Sequence, residues 1–358
     1  MDRQALFSGT EAPSAHLALD LPRLEAFLQG RLPGLDGPLS AEKFRGGQSN
    51  PTYLLSCGDR RWVLRRRPPG KLMPSAHAID REYRVIGAMH GAGVPVPAAH
   101  LYCDDENVIG SAFYVVDFVP GRLYWDADVP GVTPAERTAL YDAMAKAFAH
   151  IHSIDVAAAG LADFGGRGAY APRNLSRWSR VYDESRLIDV PDMDWLIEQL
   201  GARLPADEPV TLIHGDYGLY NILFHADRPE VAAILDWEMA TLGNPWIDLA
   251  HHLRAWWEPE DGSGSATSLS GRDLDALGIP SIEDYVTLYA AARGIEPPAD
   301  LAYFLAFAQF RYGAMVQGIL KRAAMGTASN RTMLHTQDKV FRIAALARRT
   351  LEGMTSRP

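Results

Sequence analysis

Two short apolar runs constrain the fold of this chain most. Val210 to Ile213 and Val231 to Leu235 are each too short for a helix, and each ends in a polar cluster. The first delivers His214-Gly215-Asp216-Tyr217-Gly218-Leu219-Tyr220-Asn221, and the second delivers Asp236-Trp237-Glu238. A strand that stops on such a cluster holds the following loop rigidly, which a preorganised site requires. An Asp or Asn at one strand end is commonly a turn residue. The joint pattern says more: a carboxylate and an amide five residues apart, then a second carboxylate twenty residues after the first.

Those residue types suit phosphoryl transfer. That reaction needs a carboxylate to orient and deprotonate the attacking hydroxyl, and oxygen ligands that hold Mg²⁺ against the phosphates. Mg²⁺ is a hard cation, commonly bound through one or two carboxylates plus substrate phosphates. On this reading Asp216 is the catalytic base, Asn221 and Asp236 are the metal ligands, and the cofactors are ATP and Mg²⁺.

The rest of the chain divides into a β-rich stretch and a mainly helical one. Residues 1–40 carry one short helix, around Leu21 to Gly30, and read as an N-terminal extension. Strands are expected at Thr52–Leu55, Trp62–Leu64, His100–Cys103 and Ala112–Phe118, with an acidic turn at Asp104–Asn107. Between them a helix is expected from about Ser75 to His90, because Ile79, Tyr83 and Ile86 fall on one face. Pro120-Gly121 is the candidate hinge. Beyond it, Thr133-Pro134-Ala135-Glu136 combines an N-cap, a first-turn proline and a capping-box glutamate. Leu140, Met144, Phe148 and Ile151 then line a core-facing stripe. Gly262-Ser263-Gly264-Ser265 reads as a loop tip. The expected organisation is α+β: residues 41–120 as a small antiparallel-sheet lobe with one helix, and 121–358 as a larger helical lobe.

Composition narrows the function classes. The chain has 358 residues, 47% apolar and 22% charged, the proportions of a soluble globular protein long enough for two lobes. No signal peptide or run of membrane-spanning length is visible, and Cys57 and Cys103 make no disulfide framework, so a cytoplasmic location is expected. Residues 41–120 carry +2, whereas residues 121–358 carry −9. An acidic larger half argues against nucleic acid. It suits a cationic substrate, or simply solubility. No membrane partner and no obligatory protein partner is evident.

The polar clusters resemble the Brenner-type catalytic loop of the aminoglycoside phosphotransferase and choline kinase superfamily, which has a protein-kinase-like fold. That family writes H-G-D-x-x-x-x-N and follows it with an isolated metal Asp; both features are present. Gly243-Asn244-Pro245-Trp246-Ile247-Asp248-Leu249-Ala250 is similar to the family's G-x-P-x-x-D-L-A element, whose Asp, here Asp248, is implied to brace the catalytic loop. Trp62 to Gly70, Ile79 to Tyr83, Asp236 to Gly243, and Tyr170, Arg173 and Trp178 resemble one branch more closely. That branch is the phosphotransferase domain fused to certain animal acyl-CoA dehydrogenases. The residues left over hold no dehydrogenase domain, so a stand-alone form is expected.

The resemblance also orders the nucleotide region. A turn at Gly46-Gly47-Gln48-Ser49-Asn50 can lay backbone N–H groups over phosphates. The kinase arrangement next places a strand lysine that pairs with a helix glutamate. Here Arg65 stands in the lysine's place and Glu82 on the helix, with Arg66 and Arg67 as neighbouring alternatives. Arginine binds phosphate and carboxylate bidentately but is not equivalent to lysine. The segment Val116 to Val119, including Asp117 and Val119, is implied to meet adenine. The cofactor-binding set is therefore Gly46, Gly47, Ser49, Arg65, Glu82, Asp117 and Val119.

Two features are set aside. Asp163-Phe164-Gly165 spells the protein-kinase metal motif but precedes the catalytic loop, so it reads as a surface turn with a glycine in positive φ. His150, His152, His251 and His252 lack metal-ligand spacing and read as structural or surface residues, while His214 reads as a support of the loop. The expected enzyme is a small-molecule kinase acting on a hydroxyl, either of an aminoglycoside or of a hydroxyacyl-CoA or related compound. Arg173, Arg177 and Arg180 are the candidates for an anionic group. The alternative is a nucleotide-binding pseudokinase acting through partners. A metal-dependent hydrolase lacks the two-metal ligand cluster it would need.

Overall fold

The computed structural model describes residues 7–45, 50–68, 78–166, 168–206, 209–259, 268–325 and 337–353. Strands run in chain order as β1 (Thr10–Glu11), β2 (Ser40–Phe44), β3 (Thr52–Cys57), β4 (Arg60–Arg66), β5 (Ala99–Cys103), β6 (Phe113–Asp117), β7 (Arg122–Leu123), β8 (Thr211–Ile213), β9 (Ile222–Phe224), β10 (Val231–Ile234) and β11 (Thr241–Gly243). The chain forms two compact units. One comprises residues 1–126, 157–161 and 218–240, the other 127–156, 162–217 and 241–358.

The first unit is built on an antiparallel sheet, ordered β1-β2-β3-β4-β6-β5 among the described residues. Side chains alternate between its faces. Tyr53, Leu55, Cys57, Trp62, Leu64, Phe113 and Val115 share one core cluster with Leu24, Leu28, Leu32, Leu35 and Leu39. The segment between β1 and β2, with its helix Leu21–Leu28, therefore covers this face. A backbone N–H from Leu39 to Glu25 Oε2 at 2.9 Å and a Tyr53 hydroxyl to the Leu17 carbonyl at 2.6 Å pin it there. The helix Ile79–Gly91 packs on β5 and β6 and buries Glu82, Val85, Ile86 and Met89. Residues 75–77 of its expected span lie outside the described residues. A smaller sheet, β10-β9-β7, belongs to the same unit.

The acidic stretch 104–107 is not a plain turn. Asp105 Oδ1 accepts the Asn107 N–H at 2.9 Å and caps a one-turn helix, Glu106–Ile109, which Gly110 closes at φ 83°. Capping by a short side-chain acceptor turned a loop composition into helix.

The second unit is helical around the antiparallel pair β8–β11. Thr133 Oγ1 accepts the Glu136 N–H at 3.2 Å and starts the helix Pro134–Ser153, as its sequence predicts. Leu140, Met144, Phe148 and Ile151 are fully buried. Further helices span Tyr170–Ser185, Pro191–Ala202, Pro245–His252, Ile282–Arg293, Leu301–Ala324 and Gln337–Leu351. Val210 is exposed, so β8 begins one residue later than its apolar run. The glycine–serine stretch 262–265 lies outside the described residues. Cys57 and Cys103 are free, buried thiols.

Candidate active site

In the second unit the loop that follows β8, residues 214–217, hangs from one buried carboxylate. Asp248 lies in the first turn of Pro245–His252, whose start is capped by Asn244 Oδ1 accepting the Trp246 N–H at 2.9 Å. Its Oδ2 accepts the His214 N–H at 2.7 Å and its Oδ1 accepts the Gly215 N–H at 2.9 Å. Gly215 sits at φ 84°, where a side chain is strained, so the loop can reverse there to aim both amides at one carboxylate. Burial works against the Asp248 charge, but hydrogen bonding from His152 and His214 holds its carboxyl below the ordinary range. The His214 ring nitrogen Nδ1 in turn accepts the Asp216 N–H at 3.3 Å.

His152, read from sequence only as a structural or surface histidine, is a fully buried brace. Its Nε2 lies 3.3 Å from Asp248 Oδ2, and its Nδ1 lies 2.6 Å from the Tyr289 hydroxyl. Arg293 donates to the same hydroxyl at 3.1 Å. No spacing signal links His152 to Asp248, because the contact joins two helices far apart in sequence. Tyr217 anchors the loop from the other side: its ring stacks on Phe148 at 4.0 Å and its hydroxyl donates to the Met144 carbonyl at 2.9 Å. The Asp216 side chain, by contrast, is about one-third exposed, with Oδ1 3.8 Å from His251 Nε2. The loop backbone is thus held at His214 and Gly215 and the loop side chain at Tyr217, while part of the Asp216 side chain faces solvent.

In the first unit a second cluster forms. Arg65 and Tyr114 are register partners on β4 and β6. Side-chain alternation puts them opposite the leucine-lined face, toward the helix bearing Glu82. Arg65 Nε lies 3.1 Å from Glu82 Oε2, and Nη2 lies 2.7 Å from Asp236 Oδ1 and 3.2 Å from Glu238 Oε2. Glu238 also accepts from Asn50 Nδ2 at 3.0 Å. Arg66 turns instead to Ser111, and Arg67 to Glu106, each at 3.0 Å. Burial raises the Glu82 carboxyl and Arg65 draws it back. The Asp236 and Glu238 charges lift it again, leaving it at about 7.

Asp236 adopts the left-handed conformation at φ 62° and ψ 63°, uncommon outside glycine but tolerated by Asp. The buried Trp237 beside it fixes this turn, donating Nε1–H to the Ile234 carbonyl at 3.1 Å. Asn221 is buried, and its backbone carbonyl accepts the Leu235 N–H at 2.8 Å, which ties it to the residue before Asp236. An amide and a carboxylate are hard oxygen donors of the kind Mg²⁺ takes. Among the described residues no three His, Cys, Asp or Glu side chains form a metal cluster. Glu238 was not singled out from sequence; its place two residues after Asp236 was the available signal.

The remaining expected nucleotide residues divide. Gly46, Gly47 and Ser49 lie outside the described residues. Asp117 ends β6 with its carboxylate 2.6 Å from His100 Nε2, and Val119 follows, half-buried. The Asp163-Phe164-Gly165 expectation needs correcting. Phe164 is buried, and Gly165 is not in positive φ. A Cβ at Gly165 would stand 2.5 Å from Leu242 Cβ, so close packing accounts for that glycine.

The sequence profile of the phosphotransferase enzyme family matches residues 40–293. The chain belongs to that family. It is 40% identical over 335 residues to mouse acyl-CoA dehydrogenase family member 10, covering 92% of this chain and 31% of that protein. The chain thus spans about a third of that relative's length. A candidate aminoglycoside phosphotransferase of Ralstonia eutropha is 39% identical, covers 94% of this chain and 99% of its own, and superposes with a TM-score of 0.85. A spectinomycin phosphotransferase solved with ADP and spectinomycin shares the fold, with a TM-score of 0.60 at 12% identity over 92% and 98% of the two chains. The fold of this family member is kinase-like and α+β, with an antiparallel-sheet N-terminal region and a helical C-terminal region. Its family and neighbours support small-molecule phosphotransfer. Among the described residues no helix is long and apolar enough to cross a membrane.

Proposed function

We propose that the chain is an ATP- and Mg²⁺-dependent kinase that phosphorylates a hydroxyl of a small molecule. The observation that carries this reading is the Arg65 guanidinium, held by Glu82 and in contact with Asp236. A helix glutamate, a strand cation and a carboxylate at a strand end are the parts a kinase uses to seat nucleotide phosphates. The structure of a spectinomycin phosphotransferase with ADP supports nucleotide use by this fold.

In this reading Arg65 binds the phosphates and Glu82 orients it. Asn221 and Asp236 would hold Mg²⁺, which supplies positive charge to the phosphates when bound. Asp117 and Val119 belong to the segment that meets adenine. Asp216 accepts the proton of the acceptor hydroxyl as its oxygen bonds to the γ-phosphorus and the bond to the bridging oxygen breaks. Asp248, through His214 and Gly215, keeps that carboxylate in place.

The acceptor class is open between aminoglycosides, named for several neighbours of this fold, and hydroxyacyl-CoA or related hydroxy compounds, prompted by the acyl-CoA dehydrogenase relatives. The test is MgATP consumption against both classes, with Asp216→Asn as control. Asp216-dependent turnover is the expected result. MgATP binding without turnover of any acceptor would favour a nucleotide-binding pseudokinase.

A further inference from the structure

Arg311, on the helix Leu301–Ala324, is 6% exposed, yet no carboxylate pairs with it among the described residues. Its Nη2 donates to the Gly215 carbonyl at 3.4 Å, a long contact, and its buried Nε has no hydrogen-bond partner among the described residues. Its Cζ lies 5.3 Å from the ring centre of Trp178, and Arg177 Cζ lies 5.6 Å from the same ring. On the helix Tyr170–Ser185, Arg173 Cζ lies 5.9 Å from the Tyr170 ring centre, and its Nη1 donates to the Gly166 and Gly168 carbonyls at 3.1 and 2.7 Å. Two guanidinium groups, Arg311 and Arg177, therefore share the Trp178 ring, and Arg311 also reaches the loop at Gly215, in a unit whose net charge is acidic.

A buried charge without a counterion is costly. Stacking on Trp178 and one carbonyl contact offset only part of that cost. A guanidinium is also the group best shaped for an oxyanion, because its planar fork binds carboxylate or phosphate bidentately. We propose that Arg311, with Arg177 across Trp178, is the subsite for an oxyanion on the phosphoryl acceptor, a carboxylate or a phosphate. The proposal rests on the reading of Asp216 as the base, since Gly215 immediately precedes it. An oxyanion on Arg311 would therefore sit beside the loop that presents Asp216. A cationic aminoglycoside would meet like charge here. The acidic balance of residues 121–358 thus misleads about the acceptor, because the local cations and not the distant surface carboxylates face it.

The test measures calorimetric binding and MgATP turnover in parallel, on the whole protein and its Arg311→Gln and Arg177→Gln variants. The probes are 3-hydroxybutyrate, the uncharged 1,3-butanediol, free coenzyme A and kanamycin. Expected is a preference for an oxyanion probe over the diol of about 10- to 100-fold, the worth of a charge-assisted hydrogen bond. That preference should vanish in Arg311→Gln and shrink in Arg177→Gln. If 3-hydroxybutyrate shows it, the oxyanion is a carboxylate; if only coenzyme A does, it is a phosphate. Equal binding of acid and diol, preference for kanamycin, or no oxyanion binding overturns the proposal. So does an Arg311→Gln variant that loses kcat for every acceptor with its KM preference unchanged, because that marks a brace of Gly215. Should Arg311→Gln fail to fold, the exposed Arg177 decides by the same comparison. Absence of turnover would count against the kinase reading, while the binding arm would still decide the subsite.

Discussion

Arg65 Nη2 lies 2.7 Å from Asp236 Oδ1, across 171 residues of chain. The contact joins the strand cation of the large sheet to the carboxylate at the end of β10, and Glu82 closes it from the helix side. One guanidinium serves three carboxylates there through two separate nitrogens, Nε and Nη2, where a lysine would offer a single ammonium nitrogen.

Removing that cation should therefore destabilise the fold as well as the site. Arg65→Ala leaves Glu82, 1% exposed, buried without its partner. The expected loss is about 3–5 kcal/mol in urea denaturation. Arg65→Lys should recover part of it. Unchanged stability in Arg65→Ala would mean that the cluster contributes nothing net.

Asp216→Asn should lower kcat by about 10²- to 10⁴-fold, the usual contribution of a general base. Affinity for MgATP should stay nearly constant, since the residue is assigned to the acceptor. Asp236→Ala should show the opposite pattern and lose Mg²⁺-dependent nucleotide affinity. Nucleotide titration followed by steady-state kinetics separates the two; normal turnover in Asp216→Asn would remove it as the base.

The Asp-Phe-Gly tripeptide before the loop gives a contrast. Asp163→Asn should leave nucleotide affinity intact, because the motif is out of order. Gly165→Ala forces a Cβ against Leu242 and should cost about 1–3 kcal/mol in a thermal melt. A loss of Mg²⁺-dependent binding in Asp163→Asn would reinstate the motif.

Acid should destabilise the second unit through its buried histidines. Burial holds His252 neutral down to about 4, against 6.5 for an ordinary histidine. Between those values the unfolded chain takes up a proton that the folded one refuses, so stability falls as pH falls from 6.5 to 4. The loss from this group reaches ~3 kcal/mol. Glu82 acts in the opposite sense, since its raised pKa makes its contribution fade as pH rises from 4.5 toward 7. Thermal midpoints from pH 4 to pH 7 should fall less steeply on acidification in His252→Gln than in the parent. Parallel curves would show that His252 is not held neutral.

Much of the local architecture was legible in the residues themselves. Thr133 with Glu136, and the stripe Leu140, Met144, Phe148 and Ile151, announce one helix and its buried face. The apolar runs before His214 and Asp236 announce strands, because alternation and length are properties of a few neighbouring residues. Asp105 capping a helix inside an apparent turn was missed, since one side-chain hydrogen bond outweighed the loop composition around it.

The sequence by itself determined these elements, the order of the polar clusters and the family. Only the tertiary structure decided which of three consecutive arginines meets Glu82, that His152 supports Asp248, and that Arg311 stands beside Gly215. Those outcomes depend on which face of a strand or helix meets another element far along the chain, and on which charges burial leaves paired. Local spacing carries no record of either.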